Sequence, residues 1–270
     1  IRTYSWPEQL GLVKDIKSVK PPLRLFLYPY LQSELNVKKN LSSNLSYSAG
    51  LDLKYGLSNS FTLDLTLIPD FGQVAFDDEE LNLTPFEQQF DENRAFFTEG
   101  ASLFEKADIG FRAGNFFYSR RIGQKLNFNE NDYLLDNEEL LMYDKKPKLI
   151  NSVKVTGTTN TKLSVGIINT ITDNAYAYFK NNVTNLERKE LLAPTTNYNV
   201  LSLTQEIIND VSSISVLNTN INRKNGLNGN NTALVADIFD NKRKYNIQSA
   251  IYGSYACLLY TSPSPRDTLL

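Results

Sequence analysis

Histidine is absent from the 270 residues. That single absence excludes Ser-His-Asp and Cys-His catalysis, imidazole metal ligation and an imidazole pH switch. Cysteine is nearly absent: Cys257 stands alone, so no internal disulfide can form. No run approaches the roughly 20 consecutive apolar residues that a membrane-spanning helix requires, so any membrane crossing would have to be made with strands. An excess of one charge is missing too. Lys and Arg total 28 against 30 Asp and Glu, a net charge of -2 that gives no basis for a nucleic-acid partner. The chain opens at Ile1 without a basic-then-apolar leader, so an export signal is expected to have been removed or to lie outside this sequence.

What is present is alternation. Leu51, Leu53, Tyr55 and Leu57 alternate with Asp52, Lys54, Gly56 and Ser58. After Ser58-Asn59-Ser60 the pattern resumes as Phe61, Leu63, Leu65 and Leu67 around Thr62, Asp64 and Thr66. This predicts a β-hairpin with one apolar and one polar face. Arg24 to Leu31 reads as a further strand, and Pro29, which cannot donate to a ladder, places it at an edge or an end. Past residue 150 the pattern returns. Val153 and Val155 lead to a turn at Thr158-Thr159-Asn160, followed by Leu163, Val165 and Ile167. Further strands are expected near 200–207, 213–220, 232–239 and 245–252, separated by Asn209-Asp210 and the Asn/Gly-rich run 225–231. The expected fold class is all-β, an antiparallel meander.

Residues 69–148 differ: they are acidic, aromatic and poorly alternating. Thr84-Pro85-Phe86-Glu87 has the form of a helix start, giving a short helix over 85–90. Residues 112–122 return towards strand, and 127–136 read as a solvated loop.

A half-buried strand of a soluble sandwich has the same period of two as a lipid-facing strand, so alternation leaves both architectures open. Asp52, Lys54, Asp64 and Gln248 suit a wet lumen. Tyr28, Tyr30, Tyr47 and Tyr55 fall near predicted strand ends, where interfacial aromatics gather.

Three blocks carry a resemblance: Asp70-Phe71-Gly72-Gln73-Val74, then Phe96-Phe97-Thr98-Glu99-Gly100 with Leu103-Phe104, then Phe117-Tyr118-Ser119-Arg120-Arg121-Ile122-Gly123. In order and spacing they resemble the bacterial carbohydrate-binding family 9 domain-containing proteins, in which a secreted sugar-binding module precedes a long outer-membrane-type β-barrel region. The likeness begins near Leu51, continues through Asn169 to Asp173 and Pro194 to Tyr198, and ends near Tyr255. It implies a piece of an outer-membrane-type β-barrel from a Gram-negative bacterium, carrying a partly helical acidic and aromatic insert over about 69–148. The chain departs from the pattern at Ala75 and over Asp91 to Ala95.

On this resemblance residues 1–20 are a linker from an upstream carbohydrate-binding module, 21–255 a partial barrel, and 256–270 a non-native tail like translated sequencing-adapter read-through from a metagenomic fragment. Outer-membrane lipid is the implied partner, with polysaccharide or oligosaccharide reaching the protein through the absent module. The implied role is a platform for binding, uptake or anchoring of carbohydrate in the cell outer membrane.

The insert concentrates carboxylates: Asp70, Asp77, Asp78, Glu79, Glu80, Glu87, Asp91, Glu92 and Glu99. Two of them at the right separation would serve a membrane-associated glycoside hydrolase, which is the alternative reading. Carboxylates beside Arg94, Arg120 and Arg121 more simply form charge-assisted hydrogen bonds that pin an insert to a wall. Asp70, Gln73, Arg94, Glu99, Tyr118, Arg120 and Arg121 are therefore the candidates for a structural latch, with Arg120 or Arg121 expected to meet Asp70 or Glu99. Asp77 to Glu80 lacks calcium-loop spacing, and no cofactor, metal or catalytic residue is expected.

Overall fold

A computed structural model describes residues 22–36, 44–68, 90–106, 116–224 and 226–258. The chain is all-β and antiparallel. Nine strands form one sheet in the order β1 (Leu25–Asn36), β2 (Asn44–Gly56), β3 (Phe61–Leu67), β5 (Leu149–Thr158), β6 (Leu163–Thr172), β9 (Thr196–Ile207), β10 (Ser212–Arg223), β11 (Leu227–Phe239) and β12 (Asn246–Leu258). Three more, β4 (Glu138–Tyr143), β7 (Ala175–Asn181) and β8 (Glu187–Ala193), make a second sheet in the order β4-β7-β8.

The second sheet continues three strands of the first. β4 leads into β5, β6 into β7 and β8 into β9, so the order β4-β7-β8 repeats β5-β6-β9 beyond one end of the large sheet. The breaks lie at residues 144–148, 173–174 and 194–195. Asp144 N–H donates to the Tyr176 carbonyl, Asp173 N–H to that of Lys148, and Thr195 N–H to Asn174 Oδ1 at 2.6 Å. Sequence alternation did not reveal these three strands. β8 (ERKELLA) is charged, β4 lies in the acidic segment, and in β7 the small alanines point inward while tyrosines face out.

The expected hairpin is present, with Leu53 opposite Leu65 and Lys54 opposite Asp64. Pro29 lies on β1, an edge strand. Among the described residues no pairing joins β1 to β12, and the nine strands form an open sheet.

Register sorts the side chains into two faces, because directly paired residues project to the same side. One row reads Lys54, Asp64, Lys154, Ile168, Val200, Thr219 and Asn231 across the sheet. The neighbouring row on the opposite face reads Leu53, Leu65, Val153, Asn169, Asn199, Asn220 and Asn230. Tyr28 pairs with Asp52 and Tyr30 with Gly50, which puts both on the Lys54 face in mid-strand. Of the four tyrosines expected at strand ends, only Tyr47 and Tyr55 share the apolar face.

The Lys54 face is the covered one. Residues 90–106 and 116–123 lie across it and bring Phe97, Phe104 and Ile122 against Ile168, Val200, Leu217, Ala233 and Val235. The insert's described helix is a single turn, α1 (Ala95–Thr98), followed by 3-10 turns Ala101–Leu103 and Ser119–Arg121. Residues 116–122 therefore form turns where a strand was expected; Phe117 packs near Phe104 and Ile122 is buried. The helix expected over 85–90 lies outside the described residues, except that Phe90 is not helical. Residues 127–136 are a largely exposed loop with one 3-10 turn, Glu130–Asp132.

Gly166 makes room for the insert. A Cβ there would sit 2.8 Å from Phe104 Cζ. Substituting Gly166→Val should displace Phe104 at a cost of about 1–3 kcal/mol. Proteolysis should then cut within 90–123 sooner while circular dichroism keeps its strand signal; unchanged proteolysis would show that Phe104 does not dock there.

Candidate functional site

The contact between insert and wall is built on a buried lysine. Lys154, on β5, is 1 % exposed. An ammonium removed from water needs partners for its three N–H groups. It takes Asp64 Oδ2 at 3.3 Å from the neighbouring strand, the Glu99 carbonyl at 2.8 Å and the Phe96 carbonyl. Its ammonium also stands 4.9 Å from the centre of the Phe96 ring. The two carbonyls belong to the end of α1, where a helix leaves backbone acceptors unspent and presents its negative pole. Gly100, at φ 73, supplies the left-handed residue that stops the helix there and lies against Thr156.

Around this lysine the wall adds Lys54, which pairs with the Glu99 carboxylate, and Ser202, whose hydroxyl donates to the Leu103 carbonyl. Other polar side chains of the covered face pair with one another. Ser152 bonds Thr170, Thr66 donates to Asp52, and Thr204 meets Ser215 at 2.9 Å.

Inside the insert Arg94 organises a second centre. Its guanidinium donates to Glu92 Oε1 at 2.8 Å and Glu92 Oε2 at 2.6 Å, to the Ile122 carbonyl at 2.9 Å and to the Ser119 carbonyl at 2.8 Å. It lies 4.3 Å from the Phe97 ring centre. Arg94 thus ties 92–98 to 119–122, using the fork geometry that lysine lacks. Burial pushes the Glu92 carboxyl up, but the hydrogen bonds and charge of Arg94, with the Ser119 hydroxyl, outweigh it and hold the group below the usual carboxylate range.

The other latch candidates fall around this centre. Arg120 donates to the Asp91 carbonyl at 2.6 Å and sits 5.7 Å from the Phe90 ring. Tyr118 accepts from Phe90 N–H at 2.9 Å, and Arg121 lies 5.9 Å from the Tyr118 ring. Glu99 belongs instead to the wall contact, through Lys54. Asp70 and Gln73 lie outside the described residues, as do Asp77, Asp78, Glu79, Glu80 and Glu87. Sequence reading missed the receiving side. Lys154 and Ser202 looked like ordinary polar partners in alternating strands.

A third node holds the second sheet. Arg188 grips Glu138 with two bonds of 3.0 and 2.7 Å, reaches Glu190 at 2.7 Å and the Tyr133 carbonyl at 2.9 Å, and covers the Phe179 ring at 4.6 Å. Hydrogen bonding from Arg188 is the largest influence on the Glu138 carboxyl and holds it below its ordinary value.

Chemistry beyond anchoring finds little material here. Among the described residues no three Asp, Glu, Cys or His side chains cluster to hold a metal ion. An open hollow of about 400 Å³ between turns 58–60 and 158–160 is lined by hydroxyls, amides and Phe61, with no ionisable group.

Residues 21–263 match the family model described as a domain of unknown function, DUF5916. The chain belongs to the DUF5916 family. No curated protein and no solved structure matches it. The match begins ahead of β1 and ends past β12, so the large sheet, the insert and the three-strand extension all lie within one DUF5916 domain.

Two predictions follow from the buried charges. Lys154→Met leaves Asp64 and two helix carbonyls without their cation and should destabilise the DUF5916 domain by about 3–5 kcal/mol. The double variant Lys154→Met with Asp64→Leu should recover part of that loss in urea unfolding; a double variant as unstable as the sum of its parts would contradict the pairing. Glu92 sets an acid limit. Because its folded pKa is depressed, it contributes stability fully above the ordinary glutamate value of about 4.3, and loses it as pH falls through the lower folded value. Pepsin cleavage within 90–123 should therefore rise over that acid range in the native chain, and the rise should be weaker in Glu92→Gln.

Proposed function

We propose that this DUF5916 chain is wall and plug of an outer-membrane β-barrel that acts as a platform for binding, uptake or anchoring of carbohydrate. The observation that carries the barrel reading is an inversion of faces on the central strands. The buried side chains of the covered face include Lys154, Ser152, Thr170, Ser202, Thr204 and Ser215, with Thr170 at 0 % exposure. On the opposite face Ile167 is 43 % exposed, Leu234 44 % and Ile251 67 %. A soluble sandwich buries its apolar face, whereas a membrane barrel turns that face to lipid and keeps a polar interior.

The insert fits the place of a plug: it is linked to the wall through β3 and β5, and beside the apolar packing of Phe97, Phe104 and Ile122 its contacts with the wall include hydrogen bonds and an ion pair of the kind a polar lumen offers. The carbohydrate part of the reading rests on the ordered motif block shared with carbohydrate-binding family 9 domain-containing proteins. A hydrolase draws no support from Glu92 and Glu99, the insert glutamates nearest the contact with the wall. Glu92 is held ionised by Arg94 and Ser119, the opposite of the raised pKa a general acid needs, and Glu99 is committed to an ion pair with Lys54.

The intact gene product, expressed with an export leader in a Gram-negative host, tests this. In a Cys257→Ser background, single cysteines replacing Ile167 or Leu201 and carrying a spin label should collide with dissolved oxygen as hydrocarbon-embedded groups do. Labels replacing Thr219 should not. A water-soluble product whose labels at 167 and 201 respond to aqueous reagents would end the barrel reading.

A further inference from the structure

The apolar face does not stay apolar to the end of its strands. Towards the end where the insert and the three-strand extension join the sheet, it turns to asparagine: Asn151 on β5, Asn169 on β6, Asn197 and Asn199 on β9, Asn218, Asn220 and Asn222 on β10, and Asn228 and Asn230 on β11. Ile171 and, at the β5 bulge, Ile150 are the apolar side chains beyond the change on these strands. The amides join along the row. Asn169 Nδ2 donates to Asn197 Oδ1 and Asn199 Oδ1, both at 2.7 Å, and Asn218 Nδ2 donates to Thr232 Oγ1 at 2.7 Å and Asn230 Oδ1 at 3.1 Å.

The line where leucine and valine give way to asparagine is oblique to the strands. Leu67 closes β3, and its register partner on β5 is already Asn151. Val153 is the last apolar residue before the change on β5, and its partner on β6 is Asn169. Ile167 and Leu201 stand level on β6 and β9. Leu201 then faces Asn218 on β10, where Val216 is the last apolar residue, level with Leu234 on β11. The boundary thus slips six residues, about 20 Å, while crossing four or five strand spacings, about 19–24 Å. That is a slope of about 40–45°, the inclination at which strands of an outer-membrane barrel cross the bilayer, about 35–45°. A plane parallel to the membrane would cut these strands along this line.

Resting on the barrel reading, we infer that the asparagine field is the rim at which the wall leaves hydrocarbon, and that it binds the saccharide headgroups of an outer-leaflet glycolipid. Amides do not settle in hydrocarbon without partners, so their first appearance marks its limit. An amide carries two donors and a carbonyl with two lone pairs, which matches the neutral hydroxyls of a sugar and carries no charge to select a phosphate alone. Rows of amides spaced one strand apart present such groups on a continuous surface rather than at a point.

The end of the sheet that bears the field is the outward one. Links at the opposite end are tight: 57–60, 159–162, 208–211 and 240–245. At the asparagine end lie the long connections 68–148 and 173–195, and barrels of this kind keep short turns on the periplasmic side and long excursions outside. An external rim meets the leaflet that carries glycolipid.

The test uses the intact gene product with Cys257→Ser, refolded into phosphatidylcholine vesicles with and without lipopolysaccharide. Spin labels at positions 199 and 220 should report interfacial depth, while labels at 203 and 216 report hydrocarbon. Lipopolysaccharide should raise the unfolding midpoint by about 5 °C, and Asn169→Leu, Asn199→Leu and Asn220→Leu combined should abolish most of that rise. If the triple variant does not fold, the depth profile and the lipid effect on the native chain still decide. Labels at 199 and 220 buried in hydrocarbon, or equal protection by phospholipid alone, would overturn the rim proposal and leave the barrel standing. Labels at 203 and 216 in water would overturn the barrel itself.

Discussion

The structure depends on one constraint: the inward face of the sheet is too polar to be buried unless something answers its charges. Lys154 concentrates that requirement. It is almost completely enclosed, and Asp64 across the strand pair satisfies only part of its donor capacity. The rest goes to carbonyls that exist only because α1 ends at Thr98 and the chain turns at Gly100. Wall and insert are therefore not two independent pieces in contact. A buried cation on one and a helix terminus on the other each lack partners without the other, and removing either leaves an uncompensated group in a medium that cannot hydrate it.

Arg94 makes that helix terminus available. By gathering Glu92, Ser119 and Ile122 around one guanidinium it fixes the path of the chain before and after the segment that meets Lys154. Arg188 repeats the arrangement in the extension, where Glu138, Glu190 and Tyr133 converge on a cation lying over Phe179. In both places an aromatic face completes the shell around arginine. Short, irregular segments are not fixed in path by core burial alone, and multiply bonded arginine supplies the rigidity that a longer helix or a wider strand would give elsewhere.

How far the sequence foretold this follows from what alternation can encode. Period two marked β2, β3, β5, β6 and β9 to β12, because each has a distinct apolar set on one side. It did not mark β4, β7 and β8, where Ala175 and Ala177 precede Phe179 as inward residues of β7, its outward residues include Tyr176 and Tyr178, and β8 is largely charged. Alternation also could not say which face is covered. The same leucines at 51, 53, 63 and 65 would have lined the core of a sandwich. Of the insert's candidates, Arg94, Tyr118 and Arg120 each bridge 90–94 to 118–122 within the insert, whereas Glu99 meets Lys54 on the wall and not Arg120 or Arg121. The insert's partners on the wall were not legible in the sequence. Lys154 and Ser202 occupy routine polar positions, and only register, which sequence does not carry, brings them under α1.

The two faces of the sheet are finally one argument about solvent. On the inward side, polar residues persist because an insert supplies hydrogen bonds and keeps water from most of them. On the outward side, leucine, isoleucine and valine persist although nothing among the described residues covers them, and their extent is bounded by an oblique line of amides rather than by the strand ends. An edge of burial against another protein domain would follow that domain's outline. A boundary that shifts along successive strands in one direction is what the proposed barrel would show, because a bilayer surface cuts a tilted wall at about 40–45° to its strands. On that proposal the charge cluster around Lys154 and the asparagine line answer to one environment from opposite sides of one sheet: polar groups are kept where they can be satisfied, and withheld where they cannot.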